Sequence, residues 1–289
     1  MPELPEVEVV KRSLANKVQN LIIKEVRIND GRLRYRINKN EIRKIVGLRL
    51  TKIERRAKFL LFFFSKNTIM LVHLGMTGKF FFVNSKNVKH KTSFYYNINK
   101  NKDNKHDRVI FFLEKNQKLI YNDVRKFGFI KIFNKKNLNN NLHLNNLGPE
   151  PLKKNFNHSY FEQYLKGRKR AVKDILMDQQ FVSGLGNIYV NEILFLSKIK
   201  PTRKVEKLKD YEIKKIIYST KKILKHSIKS GGSSIKDFSS SNGKKGSFQQ
   251  YFHVYGKKGD RCSNANCDSK IIKINISNRS TFFCSKCQK

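Results

Sequence analysis

The chain opens Met1-Pro2-Glu3-Leu4-Pro5-Glu6-Val7-Glu8. Proline and acidic residues in a first turn are ordinary helix-start chemistry: proline lacks an N–H that would go unused there, and a carboxylate suits the positive end of the helix dipole. Val7, Val10, Leu14 and Val18 then recur at helical spacing. A helix is therefore expected to begin just after Pro5, with one apolar face to bury. A second reading of the same residues is chemical. The small residue at position 2 permits removal of the initiator Met, which leaves Pro2 as an N-terminal secondary amine. An α-amino group titrates at about pH 8, so part of it is an unprotonated nucleophile at neutral pH. Its attack on a sugar aldehyde carbon gives a cationic iminium that acidifies the neighbouring C–H. Glu3 is placed to move protons. On these eight residues alone the plain helix start is the favoured reading, and the rest of the chain has to overturn it.

Beyond the first helix the pattern is of strand type. The stretches 21–28, 48–53, 59–64, 68–74, 79–83, 94–98, 109–113, 118–121 and 129–133 are short and rich in β-branched and aromatic residues. Polar or glycine-containing connections separate them. Many short strands without intervening helical periods predict a β-sandwich or barrel, with the N-terminal helix on its flank. From 134 to 157 the composition shifts to Asn, Leu and Lys and ends in Gly148-Pro149-Glu150-Pro151, which reads as a linker. Helical patterning then occupies 159–165, 171–177, 187–196 and 210–230. A Ser/Gly/Lys stretch over 230–247 shows no period, and loops of that length are either functional or disordered. The division expected is 1–133, a linker over 134–157, a helical domain over 158–247 and a terminal module over 248–289.

Charge narrows the partner. Among 289 residues, Lys+Arg number 62 and Asp+Glu 22, a net charge of +40 spread along most of the chain. Such a field favours a polyanion, with nucleic acid the first candidate. Lys, Asn, Ile and Phe are all abundant, as A/T-rich codon usage also produces, so part of the charge is compositional. The longest apolar run, 59–64, suits a buried strand and is far too short for a membrane span. Acidic residues stand where a signal peptide would carry its basic and apolar regions. A cytoplasmic protein without membrane contact is expected.

The cysteines are spaced Cys262-x4-Cys267 and Cys284-x2-Cys287. In a cytosolic chain this reads as a zinc ribbon and not as disulfides. Two short hooks present four thiolates to one tetrahedral ion, so one structural Zn2+ is expected. From about residue 248 the chain should close as a β-hairpin with the metal at its open end.

Four further stretches carry polar chemistry. Arg55-Arg56-Ala57-Lys58 enters the strand at 59, where neighbouring guanidinium groups would lower the lysine's pKa; a basic strand end touching phosphates is the alternative. His73-Leu74-Gly75-Met76-Thr77-Gly78 brackets a methionine with glycines; Met76 either packs inward or serves as a wedge in a base stack. Asp123-Val124-Arg125-Lys126-Phe127-Gly128 offers a donor and a stacking ring at one turn, with His106-Asp107-Arg108 upstream. Ser183-Gly184-Leu185-Gly186-Asn187 sits between helical patterns, where backbone N–H groups approach a phosphate and Asn187 caps the next helix; a plain helical hairpin is the alternative.

Taken in order, the Pro-Glu start, Arg-Arg-Ala-Lys, His-Leu-Gly-Met-Thr-Gly, Gly-Leu-Gly-Asn-Ile-Tyr and a four-cysteine ribbon ending Cys-Gln-Lys closely resemble the bacterial formamidopyrimidine-DNA glycosylase family (Fpg, also called MutM), from Pro2 to Lys289. The resemblance implies an α+β multidomain fold: an N-terminal β-sandwich with a flanking helix, a helical domain with a helix–two-turns–helix DNA-binding motif, and a C-terminal zinc ribbon. It implies a bifunctional DNA glycosylase/AP lyase of base excision repair. The partner is then double-stranded DNA holding oxidised bases or abasic sites, met by a monomer in the nucleoid. Pro2 takes the place of the family's nucleophile, Glu3 of its acid, Lys58 of its β-elimination lysine and Arg279 of its phosphate-holding, δ-elimination arginine. Met76, Arg125 and Phe127 fall on the void-filling residues. His106, Asn187 and, less closely aligned, Arg168 fall on DNA contacts, and 230–247 with Lys236 on the loop that covers the extruded base. Val124 and Lys126 depart from the family's usual Pro and Arg, which predicts a looser turn, and the first cysteine hook is longer than in many relatives.

Three other functions are compatible with parts of the chain. An endonuclease VIII-type glycosylase for oxidised pyrimidines is nearest, but the N-terminal motif, the Met76 turn and the long Ser/Gly loop favour the purine-directed branch. A non-catalytic zinc-ribbon DNA-binding protein would not need Pro2, Glu3 and Lys58 together. An RNA-binding, ribosome-associated protein fits the charge and ribbon and leaves the N-terminus unexplained.

Overall fold

The structure is a computed structural model that describes residues 1–85, 89–91, 104–233 and 247–289. The expected strand at 94–98, Lys236 and most of 230–247 fall outside these residues. The chain forms two compact units: Met1–Asn145 with Ser230–Ser247, and Asn146–Lys229 with Phe248–Lys289.

The first unit runs α1 (Leu4–Val18), β1 (Ile23–Ile28), α2 (Lys39–Arg43), β2 (Leu50–Arg56), β3 (Phe59–Phe64), β4 (Thr68–His73), β5 (Lys79–Val83), β6 (Lys89–Lys91), β7 (Asp107–Leu113), β8 (Gln117–Asn122) and β9 (Phe129–Asn134). Two antiparallel sheets result, ordered β1-β7-β8-β5-β6 and β2-β3-β4-β9. The period-2 geometry of a strand sorts their side chains. Leu60, Phe62 and Phe64 of β3, Met70 and Val72 of β4, Phe80 and Phe82 of β5, and Leu119 and Tyr121 of β8 share one core with Val7, Val10, Leu14 and Val18 of α1. The intervening residues are apolar too, because each outer face is covered. Leu61, Phe63, Ile69 and Leu71 join Phe129, with Leu138 and Leu144 against them, while Phe81, Val83 and Ile120 cluster on the other sheet.

Helix α1 starts at Leu4, one residue before Pro5 and not after it. Glu3 stands as the N-cap, and Glu6 Oε2 reaches back to accept from Glu3 N at 2.9 Å, so the carboxylate of the first turn sets the start and Pro5 falls inside it. The short helix α2 escapes periodicity because it has only five residues. Its signal is the cap: Asn38 accepts from Asn40 N and Glu41 N.

The second unit holds α3 (His158–Leu165), α4 (Val172–Met177), α5 (Asn187–Ser197), α6 (Asp210–Lys229), β10 (Ile271–Ile276) and β11 (Arg279–Cys284). Between α4 and α5 the chain makes two turns. Gln179 braces them, its Nε2 donating to Leu185 O at 2.8 Å and its Oε1 accepting from Gly184 N at 2.9 Å. Gly184 has φ +90°, a conformation that glycine alone adopts freely. The β10–β11 hairpin turns at Ser277 and Asn278, both left-handed at φ 47° and 58°, as a two-residue hairpin loop requires. Val254, Ile271, Phe282 and the cysteines pack with Phe195 of α5. Among the described residues no helix is long and apolar enough to cross a membrane.

Candidate active site and metal centre

Pro2, Glu3 and Glu6 are buried at the head of α1. Met1 is still attached, so the Pro2 nitrogen is an amide here and the Met1 amine marks the neighbourhood that a processed terminus would share. Burial lowers the pKa of that amine; Glu3 and Glu6 oppose the shift, and Lys58 and Arg125 add to it. Four charged side chains from three parts of the sequence therefore act on one terminus. Glu6 also anchors it, since its Oε1 accepts from Ser233 N at 2.8 Å and from Ser233 Oγ at 2.9 Å.

Lys58 is buried in the two-residue turn between β2 and β3, where Ala57 takes φ +52°. Arg55 fixes this turn: its Nη1 donates to Ala57 O at 3.0 Å and its Nε to Glu8 Oε2 at 3.0 Å, which ties the hairpin to α1. Burial pushes the Glu8 carboxyl up, but hydrogen bonds and charge from Arg12 and Arg55 outweigh it and hold its pKa below the usual value. The ion pair thus fixes where the lysine sits relative to the head of α1.

Met76, Arg125 and Phe127 come together. Arg125 Nη1 lies 3.1 Å from Met76 Sδ, and the guanidinium stands 4.5 Å over the Phe127 ring. Met76 is 39% and Phe127 46% exposed, so neither packs inward. Beneath them Asp123 is wholly buried and bolts the two loops together, accepting from Thr77 Oγ1 at 2.5 Å and Gly128 N at 2.9 Å; Thr77 Oγ1 in turn accepts from Arg125 N at 2.9 Å. A Cβ on Gly75 would stand 2.4 Å from Gly128 N, so the loops approach too closely for any other residue. Lys126, left-handed at φ 60°, is held by Asp30 at 2.8 Å. The loosening expected from Val124 and Lys126 is thus opposed by Asp123 and Asp30.

Arg108, which the sequence presents only as part of a polar cluster with His106 and Asp107, is a positioning residue. It is buried and donates to Asp123 O (2.8 Å), Asp30 Oδ2 (3.0 Å) and His106 Nδ1 (3.1 Å). A guanidinium only donates, so His106 Nδ1 must accept and the ring's N–H is its Nε2. His73, which opens the glycine-bracketed Met76 stretch, has a role that its sequence does not show. Its Nδ1 accepts from Gly75 N at 3.1 Å, and its ring stacks on Phe129. Burial, aided by Lys58, Arg34 and His143, lowers its pKa to about 4. Its unfolded pKa is about 6.5, so between these values the unfolded chain binds a proton that the folded chain refuses. Stability should fall as pH drops through that window, by up to about 3 kcal/mol from this group. Urea unfolding across the window measures it, and His73→Asn should flatten the dependence.

In the second unit, α4, α5 and β11 converge. Asn187 Nδ2 donates to Ser280 O at 2.8 Å, beside Arg279, and Lys173 Nζ donates to Thr281 Oγ1 at 2.6 Å. Asn187 is not the cap of α5: Gly186 is, and Asn187 is the first helical residue, with its side chain turned to the ribbon strand. Lys173 is only 1% exposed; burial lowers its pKa to about 8, Asp174 opposes this and Arg279 adds to it. Nothing in the sequence distinguishes it among so many lysines. Arg168 folds back on α3, its Nε donating to Tyr164 O at 2.7 Å and its guanidinium 4.2 Å over the Tyr164 ring.

The four cysteine sulfurs lie within 4.8 Å of one another, with Cys262–Cys287 at 3.8 Å and Cys267–Cys284 at 3.7 Å. A tetrahedral ion with metal–sulfur bonds of ~2.3 Å has edges of about 3.8 Å. The cluster fits one metal ion, at the end of the hairpin opposite its turn, where Ile271 pairs with Cys284.

Comparison with known proteins places this assembly. Residues 1–130 match the formamidopyrimidine-DNA glycosylase N-terminal domain, and 147–239 the formamidopyrimidine-DNA glycosylase H2TH domain. A formamidopyrimidine-DNA glycosylase of Rickettsia bellii is 40% identical over 290 residues, and one of Roseobacter denitrificans 35% over 297, each with both chains fully covered. Among solved structures, a Lactococcus lactis Fpg mutant in complex with Fapy-dG-containing DNA is 32% identical, covers both chains fully and superposes with a TM-score of 0.86. The same enzyme with abasic-site DNA gives 0.85 at 32% identity and 99% coverage of each. The chain belongs to the formamidopyrimidine-DNA glycosylase family.

Proposed function

We propose that the chain excises oxidised purines, 8-oxoguanine and formamidopyrimidines, from duplex DNA and then cuts the strand as an AP lyase. Glycosylase action in base excision repair follows from the family; the roles of single residues are our reading. The observation that carries it is the head of α1, where Pro2 and Glu3 are buried and the charges of Glu3, Lys58 and Arg125 all bear on the terminus. After Met1 is removed, the Pro2 nitrogen attacks C1′ of the damaged nucleotide. The C1′–N bond breaks, and Glu3 supplies the proton that helps the base leave and the sugar open. The base takes the electrons of that glycosidic bond, O4′ takes those of the C1′–O4′ bond, and the Pro2 lone pair becomes the π bond of a cationic C1′ iminium. Lys58 then takes a C2′ proton, and the 3′ phosphate departs by β-elimination. Arg279 holds a phosphate through the second, δ-elimination.

A stacked base is out of reach, so the nucleotide must be flipped, at a cost of a few kcal/mol. Met76, Arg125 and Phe127 are suited to fill the vacated stack, with His106, Asn187 and Arg168 on phosphates. Lys236 belongs to the segment assigned to covering the extruded base. One zinc ion is proposed as the occupant of the four thiolates, where it supplies structure and no chemistry. A cytoplasmic site of action on the nucleoid fits this role.

The lesion preference is tested by comparing excision of 8-oxoguanine and of thymine glycol from otherwise identical duplexes. The oxidised purine should be released faster, and a strong preference for the pyrimidine lesion would move the chain to the endonuclease VIII-type branch.

A further inference from the structure

Helix α6 buries one face and leaves another bare. Ile213, Ile216, Ile217, Ile223 and Leu224 are in the core. On the exposed side, Tyr211 and Tyr218 are 61% and 62% accessible, the most exposed aromatic residues among those described. They are seven residues apart, two helical turns and about 10 Å along the axis, and so point the same way. Lys222, Lys225 and Lys229 continue the line and are exposed as well. The Lys222 ammonium stands 5.8 Å from the Tyr218 ring. Asp210 pairs with Lys214 at 2.6 Å at the start of the helix, but no acidic residue follows Glu212 on it.

This stripe leads into a recess of about 400 Å³, lined in part by Lys222, His226, Phe248, Tyr251, His253 and Lys257. Tyr251 is half exposed, its ring centroid 4.7 Å from that of His226. Basic side chains alone would suit any polyanion. Exposed rings on that stripe and at the recess suit one that carries flat apolar faces of its own. A duplex hides the faces of its bases in the stack, whereas an unpaired strand offers them, and base-on-ring stacking is tolerant of sequence.

We propose that the exposed face of α6 and the adjoining recess form a second nucleic-acid site, specific for single-stranded DNA. Phosphates lie along Lys222, Lys225 and Lys229, and bases stack on Tyr211, Tyr218 and Tyr251. None of these residues belongs to the lesion-processing set, so the site goes beyond the glycosylase reading and stands without it. The family's work on DNA selects the deoxyribose strand as the source.

The test is fluorescence anisotropy of a labelled oligothymidylate with the full chain, with and without saturating unlabelled lesion duplex. The oligonucleotide should bind in both cases. Tyr211→Ser and Tyr218→Ser should each weaken it about tenfold. Lys222→Gln with Lys225→Gln should reduce the slope of log affinity against log salt by about 1.4, as loss of two phosphate contacts to a single strand requires. Cutting of the lesion duplex should be unchanged in every variant. Complete displacement by the duplex, full affinity in the tyrosine variants, or a preference for oligouridylate would each overturn the proposal. A chain that fails to cut lesion duplex yet binds the oligonucleotide in this pattern supports the site and counts only against the glycosylase reading.

Discussion

Stripping the metal from the four-cysteine cluster is expected to unfold the ribbon and leave the strand-rich unit intact. Four sulfurs held at 3.7–3.8 Å along the closest pairs repel one another as thiolates unless a cation sits among them. Structural zinc in small finger peptides is worth about 10–16 kcal/mol, more than a two-stranded hairpin can supply alone. Strands β10 and β11 have only a small core of their own, built from Val254, Ile271, Phe282 and the cysteines against Phe195. The sandwich is different, because α1 and both sheets share a core of more than twenty buried residues that contains no metal ligand. Chelation, or Cys267→Ser with Cys284→Ser, should therefore remove hydrogen-exchange protection from Ile271–Ile276 and Arg279–Cys284. Protection in Phe59–Phe64 should persist. Asn187 and Lys173 lose their partners Ser280 and Thr281 in that event, Arg279 loses its placement, and affinity for lesion duplex should fall with it. Metal analysis should find one zinc per chain. Unchanged protection in the metal-free chain would show that the ribbon does not depend on the ion.

The second large effect concerns the terminus. A chain that retains Met1 should bind an abasic duplex and fail to cut it. Its Pro2 nitrogen is an amide, whose lone pair is delocalised into the carbonyl, and it cannot form the iminium on which elimination depends. The Met1 amine is no substitute, because it sits one residue before the atom that Glu3 and Lys58 are proposed to serve. If the Pro2 nitrogen is the nucleophile, the loss should exceed about a thousandfold, like removal of other catalytic nucleophiles. Gel analysis of single-turnover strand cutting by processed and unprocessed chains makes the comparison. Binding of the same duplex, followed in parallel, controls for folding.

Much of the fold was legible because its strands are short, apolar and punctuated by turns. The strands at Phe59–Phe64 and Lys79–Val83 fall where the pattern puts them. Both lack the polar alternation of a half-buried strand because Phe63 and Phe81 meet apolar neighbours on the outer faces. The start of α1 was misplaced by two residues, since the local capping bond from Glu3 N to Glu6, and not the proline, sets it.

The site was legible in a different sense. Met76, Arg125 and Phe127 could be paired only through motif order, and the residue that joins their loops, Asp123, meets Thr77 across 46 positions of sequence. The positioning role of Arg108, which the sequence presents only within a polar cluster, and the burial of Lys173 were hidden for the same reason. Their meaning lies in burial and in partners such as Asp123, His106 and Thr281, which no local spacing announces. Residues that stack or bond at long range are read from packing, whereas hooks such as Cys284-x2-Cys287 carry their geometry in the spacing itself.

The central claim is that the Pro2 nitrogen does the chemistry. Borohydride reduction during reaction with an 8-oxoguanine duplex, followed by proteolysis and mass mapping of the cross-link, tests it most directly. The account predicts one covalent adduct, on an N-terminal peptide that lacks Met1, with the sugar remnant on Pro2. An adduct on Lys58 or another lysine, or no adduct under conditions where the duplex is bound and its base is released, would contradict it.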